Sequence, residues 1–401
     1  MTSVFPGFAL CKDLIMENLI NKFSDRFGFM PVAAAQAPGR LEVLGNHTDY
    51  NEGFVLSCAV EQTANFAIAP VTGTTCTVMD FRSGSEMNFE LSALDGPPPR
   101  NGSKYIIGML RELQKYGMPR QAFCAALESH VPLSAGMSSS AALEVSCGLA
   151  FSIAFGLGLE NDPAALARAG QSVENNYLGL KSGLLDQFSS LFGAKNSIIM
   201  SDFRSAEVVN SFELPPGYAF VVINSMKKHT LVDSDYNLRR EDCENAAGKL
   251  ANIFPGVSTL RDVSPEQLSA ARANLNWREF RRAQHVVCEC SRVHTAGRLL
   301  TEGDIRSFGR LLFESHESSR LNFENSSPEL DTLISIAKNT PGCLGARLSG
   351  GGFGGITIHL VRAAKAAEYA QTVCREYQRQ TGIKADSFIC ALGDGAAGYR
   401  L

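Results

Sequence analysis

The stretch PLSAGMSSSAALEVSCGLA, Pro132 to Ala150, decides how this chain is read. Small residues crowd its start, three consecutive serines follow, and an Ala-rich apolar helix pattern takes over. A turn without bulky side chains lets backbone N–H groups approach a phosphate closely, and the helix N-terminus behind it adds a positive dipole. Ser138, Ser139 and Ser140 fall where hydroxyls reach phosphate oxygens or a metal bound to them. Small residues also open helices that merely pack on a sheet, so this loop by itself leaves both readings open. The rest of the chain has to decide.

At 401 residues the chain exceeds one ordinary core, which predicts two domains. Apolar residues make up 45% and charged residues 19%, the profile of a soluble globular protein. A formal net charge of −4 gives no basic footprint for nucleic acid or an anionic membrane, so any phosphate site must be local. The 11 cysteines are scattered and odd in number, with no secretory pattern before them, which predicts reduced thiols in a cytoplasm. Cys288 and Cys290 have no second pair or histidines at ligand spacing, so a zinc site is not expected. No apolar run approaches the ~18 residues that a membrane span needs.

Leu14, Ile15, Leu19, Ile20 and Phe23 recur at helical spacing and predict an amphipathic N-terminal helix reaching Phe29. A strand-like run then leads through Pro38-Gly39-Arg40 to a polar loop from Gly45 to Gly53. That loop places Asn46, His47, Thr48, Asp49, Tyr50 and Asn51 in succession. So many different hydrogen-bonding side chains suit a polyhydroxylated ligand better than a plain turn. Strands are expected at Ala64 to Val71, Thr75 to Phe81 and Ala122 to Leu127, with a helix from about Tyr105 to Lys115. Asp162-Pro163 is a cap and first-turn pair for a helix that carries Glu174 near its end. Asp186 lies among Leu184, Leu185 and Phe188, where a carboxylate must be paired, ligated or functional. A strand from about Gly217 opens a second domain, and a long helix is expected from Glu241. Helical patterns dominate Trp277 to Lys338. The glycine cluster of Gly345 to Leu360 runs into an alternating strand and allows close packing against a ligand held by another domain. A helix, Ala363 to Gln380, and a last strand, Ser387 to Ala391, are expected to close the chain.

PGRLEVLGNHTDYNEG, PLSAGMSSSAALE and GARLSGGGFGG occur together in this order. The set resembles the three-motif signature of the galactokinase, homoserine, mevalonate and phosphomevalonate (GHMP) kinases, and the first stretch resembles the galactokinase branch. The likeness continues through SGLLDQF, SDYNLRR, RAQHVV, ESHES and SPELDTL. It implies an α+β, two-domain fold: an N-terminal domain like ribosomal protein S5 domain 2 over residues 1–215, a ferredoxin-like C-terminal domain over 216–401, and the active site between them. It implies transfer of the ATP γ-phosphoryl group to the anomeric hydroxyl of a sugar, with Mg2+. Such chemistry needs charge neutralisation and in-line positioning more than covalent help. By the same resemblance Asp186 and Arg40 are catalytic, the arginine lowering the pKa of the carboxylate beside it. Asn46, His47, Asp49, Gly183 and Tyr236 match sugar contacts. Gly136, Ser138, Ser139, Ser140, Gly351 and Gly352 match the nucleotide-binding turns. Ser140 and Glu174 match the magnesium positions, a hard cation taking oxygen ligands.

The chain also departs from the pattern. Where galactokinases carry a glutamate that contacts the C6 hydroxyl, this chain has Asn46, which keeps hydrogen-bonding capacity without the charge. Two acids are missing from Arg320 to Ser326, the tryptophan often found near Gly102 is absent, and Ser134 replaces a glycine of the serine-rich turn. D-Galactose is the expected substrate of a cytoplasmic enzyme that acts as a monomer. Galacturonate or another galactose-like sugar is the enzymatic alternative, favoured by Asn46. A catalytically silent sugar sensor on the same fold is the other, against which the retained Asp186 and serines stand.

Overall fold

A computed structural model describes residues 7–132, 136–227 and 232–401, and the side chains of residues 14–132, 136–227 and 235–401. The chain opens with helix α1 (Gly7–Phe27) and strand β1 (Ala33–Leu44), followed by β2 (Phe54–Pro70), β3 (Thr75–Asp80) and β4 (Ser85–Glu90). Helix α2 (Ser103–Leu113) and strand β5 (Phe123–Ser129) precede α3 (Ser139–Phe155), α4 (Pro163–Ser172) and α5 (Leu185–Phe192). Next come β6 (Ser197–Asp202), β7 (Glu207–Glu213) and β8 (Tyr218–Asn224). Five helices follow: α6 (Val232–Ala251), α7 (Pro265–Ala270), α8 (Trp277–Glu302), α9 (Ile305–Ser318) and α10 (Pro328–Asn339). Strands β9 (Cys343–Ser349) and β10 (Ile356–Arg362), helix α11 (Ala366–Thr381) and strands β11 (Asp386–Cys390) and β12 (Ala397–Arg400) complete the order.

The strands form two sheets. The first has eight strands in the order β12-β1-β2-β5-β3-β4, with β6 bridging β2 to β7. The second is antiparallel, in the order β11-β8-β10-β9. Its strands therefore run fourth, first, third, second, the ferredoxin-like arrangement. One apolar core joins the sheets: Leu41, Val43 and Leu56 of the first meet Phe220, Val222, Ile358 and Leu360 of the second, with Phe308 and Leu312 of α9. Helix α3 is buried along nearly its whole length, which explains why its sequence is apolar on every face. Gly148 lets it approach α2, since a Cβ there would overlap Met109.

Strand β1 carries the features that build the site. Its register against β2 shifts between Pro38 and Arg40 and again between Glu42 and Leu44. Proline has no N–H to give to a ladder, so the first irregularity falls where the sequence permits it. Bulges re-aim side chains, and here Arg40 and Glu42 face a cavity while Leu41 and Val43 face the core. The outer edge of β1 is paired with β12 only over Ala33 to Gln36. Beyond that, side chains of β9 satisfy it. Ser349 Oγ accepts from Glu42 N at 3.0 Å and donates to Glu42 O at 3.1 Å, and Arg347 Nη1 reaches Val43 O at 3.3 Å.

Several expectations hold in detail and some need correction. Asp162 caps α4 as its spacing predicts, accepting from Ala165 N, with Pro163 in the first turn. The helix expected from Glu241 begins earlier, at Val232, so SDYNLRR lies inside it. β10 is buried on both faces rather than one, because α-helices and the shared core cover its two sides. The strand ending near Cys390 does not close the chain; β12 follows and returns to the first sheet. Leu14, read as part of an apolar face, is exposed, and Met16, Leu19 and Phe23 form the buried stripe of α1. Ser134 lies outside the described residues.

Candidate active site

The loop between β1 and β2 is polar by composition yet buried. Asn46, Thr48 and Asn51 have almost no exposure, and His47 has 3%. Each polar group has a partner, as burial demands. Thr48 Oγ1 lies 2.8 Å from Gly45 O and 2.7 Å from Phe54 O. Asn51 donates to His47 O at 2.9 Å. His47 takes a left-handed backbone (φ 59°) and stacks on Phe323 at 4.4 Å between ring centroids. Its Nε2 lies 3.1 Å from Gly351 O, so Nε2 carries the proton and Nδ1 accepts from Tyr50 Oη at 2.9 Å. Burial pushes the His47 imidazole down to about 3, so it stays neutral.

This loop forms one wall of a small cavity lined also by Arg40, Glu42, Asp49, Gly183, Asp186, Tyr236, Gly350 and Gly351. Arg40 reaches Asp186 Oδ1 through Nε at 2.8 Å and Nη2 at 2.7 Å, and Nη1 donates to Gly136 O at 2.6 Å. Ser138 Oγ donates to Asp186 Oδ2. Asp49 accepts from Leu185 N at 3.3 Å. Any side chain at position 183 would collide with the Asp49 carboxylate, which accounts for Gly183. Tyr236 packs its ring 5.0 Å from His47 and 6.0 Å from Tyr50.

A larger cleft opens on the other side of the Arg40–Asp186 pair, sharing Arg40, Asp186 and Gly351 with the first cavity. Gly136, Ser138, Ser139 and Ser140 line it, as do Asn101, Gly102 and Tyr105. Ser138 is the N-cap of α3 in a left-handed conformation (φ 53°), and its hydroxyl makes no capping bond because it is spent on Asp186. The first N–H groups of α3 are thus left without a side-chain cap at the cleft, the arrangement that receives an anion.

The geometry can be set beside known proteins. A galactokinase galactose-binding signature matches residues 21–70, the GHMP kinases N terminal domain matches 104–194, and the GHMP kinases C terminal domain matches 298–379. The galactokinase of Actinobacillus pleuropneumoniae serotype 5b (strain L20) is 37% identical over 379 residues, spanning 93% of this chain and 97% of that relative. The chain belongs to the galactokinase family of GHMP kinases. The crystal structure of Lactococcus lactis galactokinase complexed with galactose superposes with a TM-score of 0.89 at 28% identity, covering 96% of this chain and 99% of the other. The Methanococcus jannaschii mevalonate kinase shares the fold, with a TM-score of 0.59 at 18% identity over 90% of this chain and 98% of its own. The protein is a sugar kinase of this family, and the family uses ATP as a substrate.

Most sequence-predicted positions converge on the two cavities, but their side chains are differently engaged. Asn46 and His47 line the first cavity with their hydrogen-bonding atoms already committed to protein. Gly352 lines neither cavity, and a Cβ there would strike Asn325 O. Glu174 also lies outside both linings, in a short π-helical turn after α4, with its carboxylate accepting from Ser182 Oγ. Burial first, then the charge of Asp186, pushes the Glu174 carboxyl up to about 7. Among the described residues no cluster of three or more His, Cys, Asp or Glu side chains makes a self-sufficient metal cage. A carboxylate and a hydroxyl are oxygen ligands of the kind a hard cation takes.

Sequence reasoning missed Glu42, Arg347, Glu289 and Asn325. Glu289 is fully buried on α8 and accepts from Gly45 N at 3.1 Å, Asn46 N at 3.3 Å and Ser315 Oγ at 2.6 Å. Asn325 donates to Asn46 Oδ1 at 2.9 Å and so helps fix the amide that departs from the family pattern. Glu42 did leave a signal: it is the single charge in the apolar run LEVL, two residues from Arg40 and therefore on the same face of the strand.

Proposed function

We propose that the protein transfers the γ-phosphoryl group of ATP to the anomeric hydroxyl of D-galactose. The observation that carries this reading is the Arg40–Asp186 pair, shared by a small polar cavity and a large cleft headed by the start of α3. The sugar would sit in the first and the phosphates in the second, so the acceptor hydroxyl meets the γ-phosphorus beside Asp186. Asp186 accepts or orients the hydroxyl proton, and Arg40, paired with that carboxylate, offsets the charge of the reacting centre. The new bond joins the sugar oxygen to phosphorus, the bond to the β-phosphate oxygen breaks, and ADP leaves with the electron pair. The backbone at the start of α3, with Ser138 and Ser139, would cradle the phosphates. Asp49 and Tyr236 would receive or give hydrogen bonds to the sugar, and Gly183 leaves room for Asp49. Ser140 and Glu174 would hold Mg2+, which supplies charge neutralisation on the phosphates when bound. The same reading divides the chain into domains 1–215 and 216–401, supported by the change of sheet between β7 and β8, with β12 alone returning to the first sheet.

The loss of charge at Asn46 by itself favours galacturonate. Against that stands the carboxylate of Glu42, which lines the same cavity and bonds Asn46 directly at 2.9 Å. A coupled ADP-release assay with ATP and magnesium over galactose, galacturonate, N-acetylgalactosamine, arabinose, glucose and talose tests the reading. Galactose is expected to give the highest kcat/KM. Preference for galacturonate would move the assignment to a sugar-acid kinase. Silence on every sugar would move it to a sensor.

A further inference from the structure

Glu42 sits on β1 between the two register shifts and is 3% exposed. Its Oε1 accepts from Arg347 Nη1 at 2.9 Å and from Asn46 Nδ2 at 2.9 Å. No described residue donates to Oε2, and that oxygen is not sealed among the fully buried unpartnered atoms, so it opens on the cavity that Glu42 lines. Asn46 has no such freedom. Its Nδ2 gives its second proton to Gly350 O at 2.9 Å, and its Oδ1 accepts from Ser319 at 3.2 Å and Asn325 at 2.9 Å. Two donors and two acceptor sites exhaust a side-chain amide. The charge argument points the same way. Arg347 is fully buried, Glu42 is its one ion-pair partner among the described residues, and a guanidinium does not give up its proton. That favours an ionised Glu42 against the upward push of burial.

We propose that Glu42 is a substrate-binding and specificity-determining residue, accepting a hydrogen bond from a sugar hydroxyl through Oε2 and opposing sugar acids by its charge. Asn46 is then a positioning residue that acts through Glu42, fixing Oε1 so that Oε2 faces the ligand. A buried acceptor aimed at a hydroxyl discriminates strongly, because an analogue without that hydroxyl, or with a second negative charge, leaves the carboxylate unsatisfied. This inference rests on the sugar-kinase reading above.

The test uses steady-state kinetics of the wild type, E42Q and E42D on galactose, its monodeoxy analogues and galacturonate, with ATP varied separately. E42D keeps the charge opposite Arg347 and withdraws the carboxylate from the cavity by one methylene, so it separates ligand contact from folding. Both variants are expected to raise the KM for galactose on the order of 10- to 100-fold while the KM for ATP stays within about twofold. That penalty disappears on the one deoxy analogue that lacks the hydroxyl Glu42 receives. E42Q alone narrows the preference for galactose over galacturonate by about tenfold or more. An E42D enzyme with an unchanged KM for galactose overturns the proposal, as does an equal loss on every deoxy analogue. A wild-type enzyme silent on galactose overturns the functional reading instead, without reference to the variants.

Discussion

Asp49 illustrates how a side chain's surroundings set the pH at which a site works. Its carboxyl is pushed from 3.8 up to about 6, first by burial and then by the charge of Glu42, with Asp186 adding to the push. Hydrogen bonds from the Tyr50 and Leu185 amides pull the other way, and the Tyr50 and Tyr236 phenols stay protonated beside it. An acid with a raised pKa in the fold stabilises the folded state below its unfolded value of 3.8, and that contribution is lost as pH rises through about 6. Sugar binding runs in the opposite direction, because a protonated Asp49 is a poorer acceptor. The kcat/KM for galactose should fall about tenfold per unit as pH drops below about 6, and Asp49→Asn should remove that step from the profile while lowering the plateau. A wild-type profile flat through this range would separate Asp49 from the sugar. At this scale, reading the sequence works where a residue contradicts its neighbours. Asp186 among leucines and phenylalanine demanded a partner, and Arg40 is that partner. Glu42 contradicts its neighbours equally, but its partner Arg347 lies 305 residues further along the chain. No local pattern could show that the Asn46 amide is exhausted by Gly350, Ser319 and Asn325, which lie far along the chain.

At the scale of elements, α8 contributes more to the site than its distance in sequence suggests. Glu289 lies on its buried face between Arg292, which donates at 2.6 Å, and the two backbone amides at the start of the sugar loop. Arg292 and the other positive neighbours hold this carboxyl well below the ordinary carboxylate range despite complete burial. One turn earlier His285 lies 3.0 Å from Asn46 O. The helix thus clamps Gly45 and Asn46 through residues that do not line the cavity. Glu289→Ala would strand two amides, a serine hydroxyl and a half-buried guanidinium at once, at a cost on the order of 3–5 kcal/mol. A lowered urea midpoint, together with a raised KM for galactose and an unchanged KM for ATP, is the expected result. A variant as stable as the wild type would show the loop to be held by its internal bonds alone. Helical periodicity made α8 visible as a helix, and its capping box of Asn276 and Glu279 supports the start. Which face would meet the loop was not visible, since a buried glutamate and an exposed one look alike at helical spacing.

The two sheets behave as one molecule because the core between them is continuous and because the chain's end returns to its beginning. Strand β12 pairs Ala397 to Arg400 with Gln36 to Ala33 of β1, and Leu401 N adds a bond to Val32 O at 3.0 Å. Gly398 lets this strand pass over α3, where a Cβ would overlap Ile153 and Leu149. Four residues reading AGYR carry too little pattern to announce a strand, so the final crossing was illegible in sequence even though the three motifs located the overall fold. Removing residues 397–401 should therefore act on the opposite end of the chain. It strips the outer edge of β1 just upstream of the bulge that aims Arg40, at about 1 kcal/mol for each backbone bond lost, and it exposes an edge prone to pairing with other chains. Because Leu41 and Val43 share a core with Phe220 and Ile358, the loss should lower the midpoint of a single unfolding transition rather than split it. Urea denaturation followed by both circular dichroism and Trp277 fluorescence reads this directly, since Trp277 stands on α8, outside the first sheet. Coincident curves at a lower midpoint would mean that the site is held by one cooperative unit, closed by its last strand. Curves that separate would mean that the first sheet melts alone and that the shared core does not couple the two.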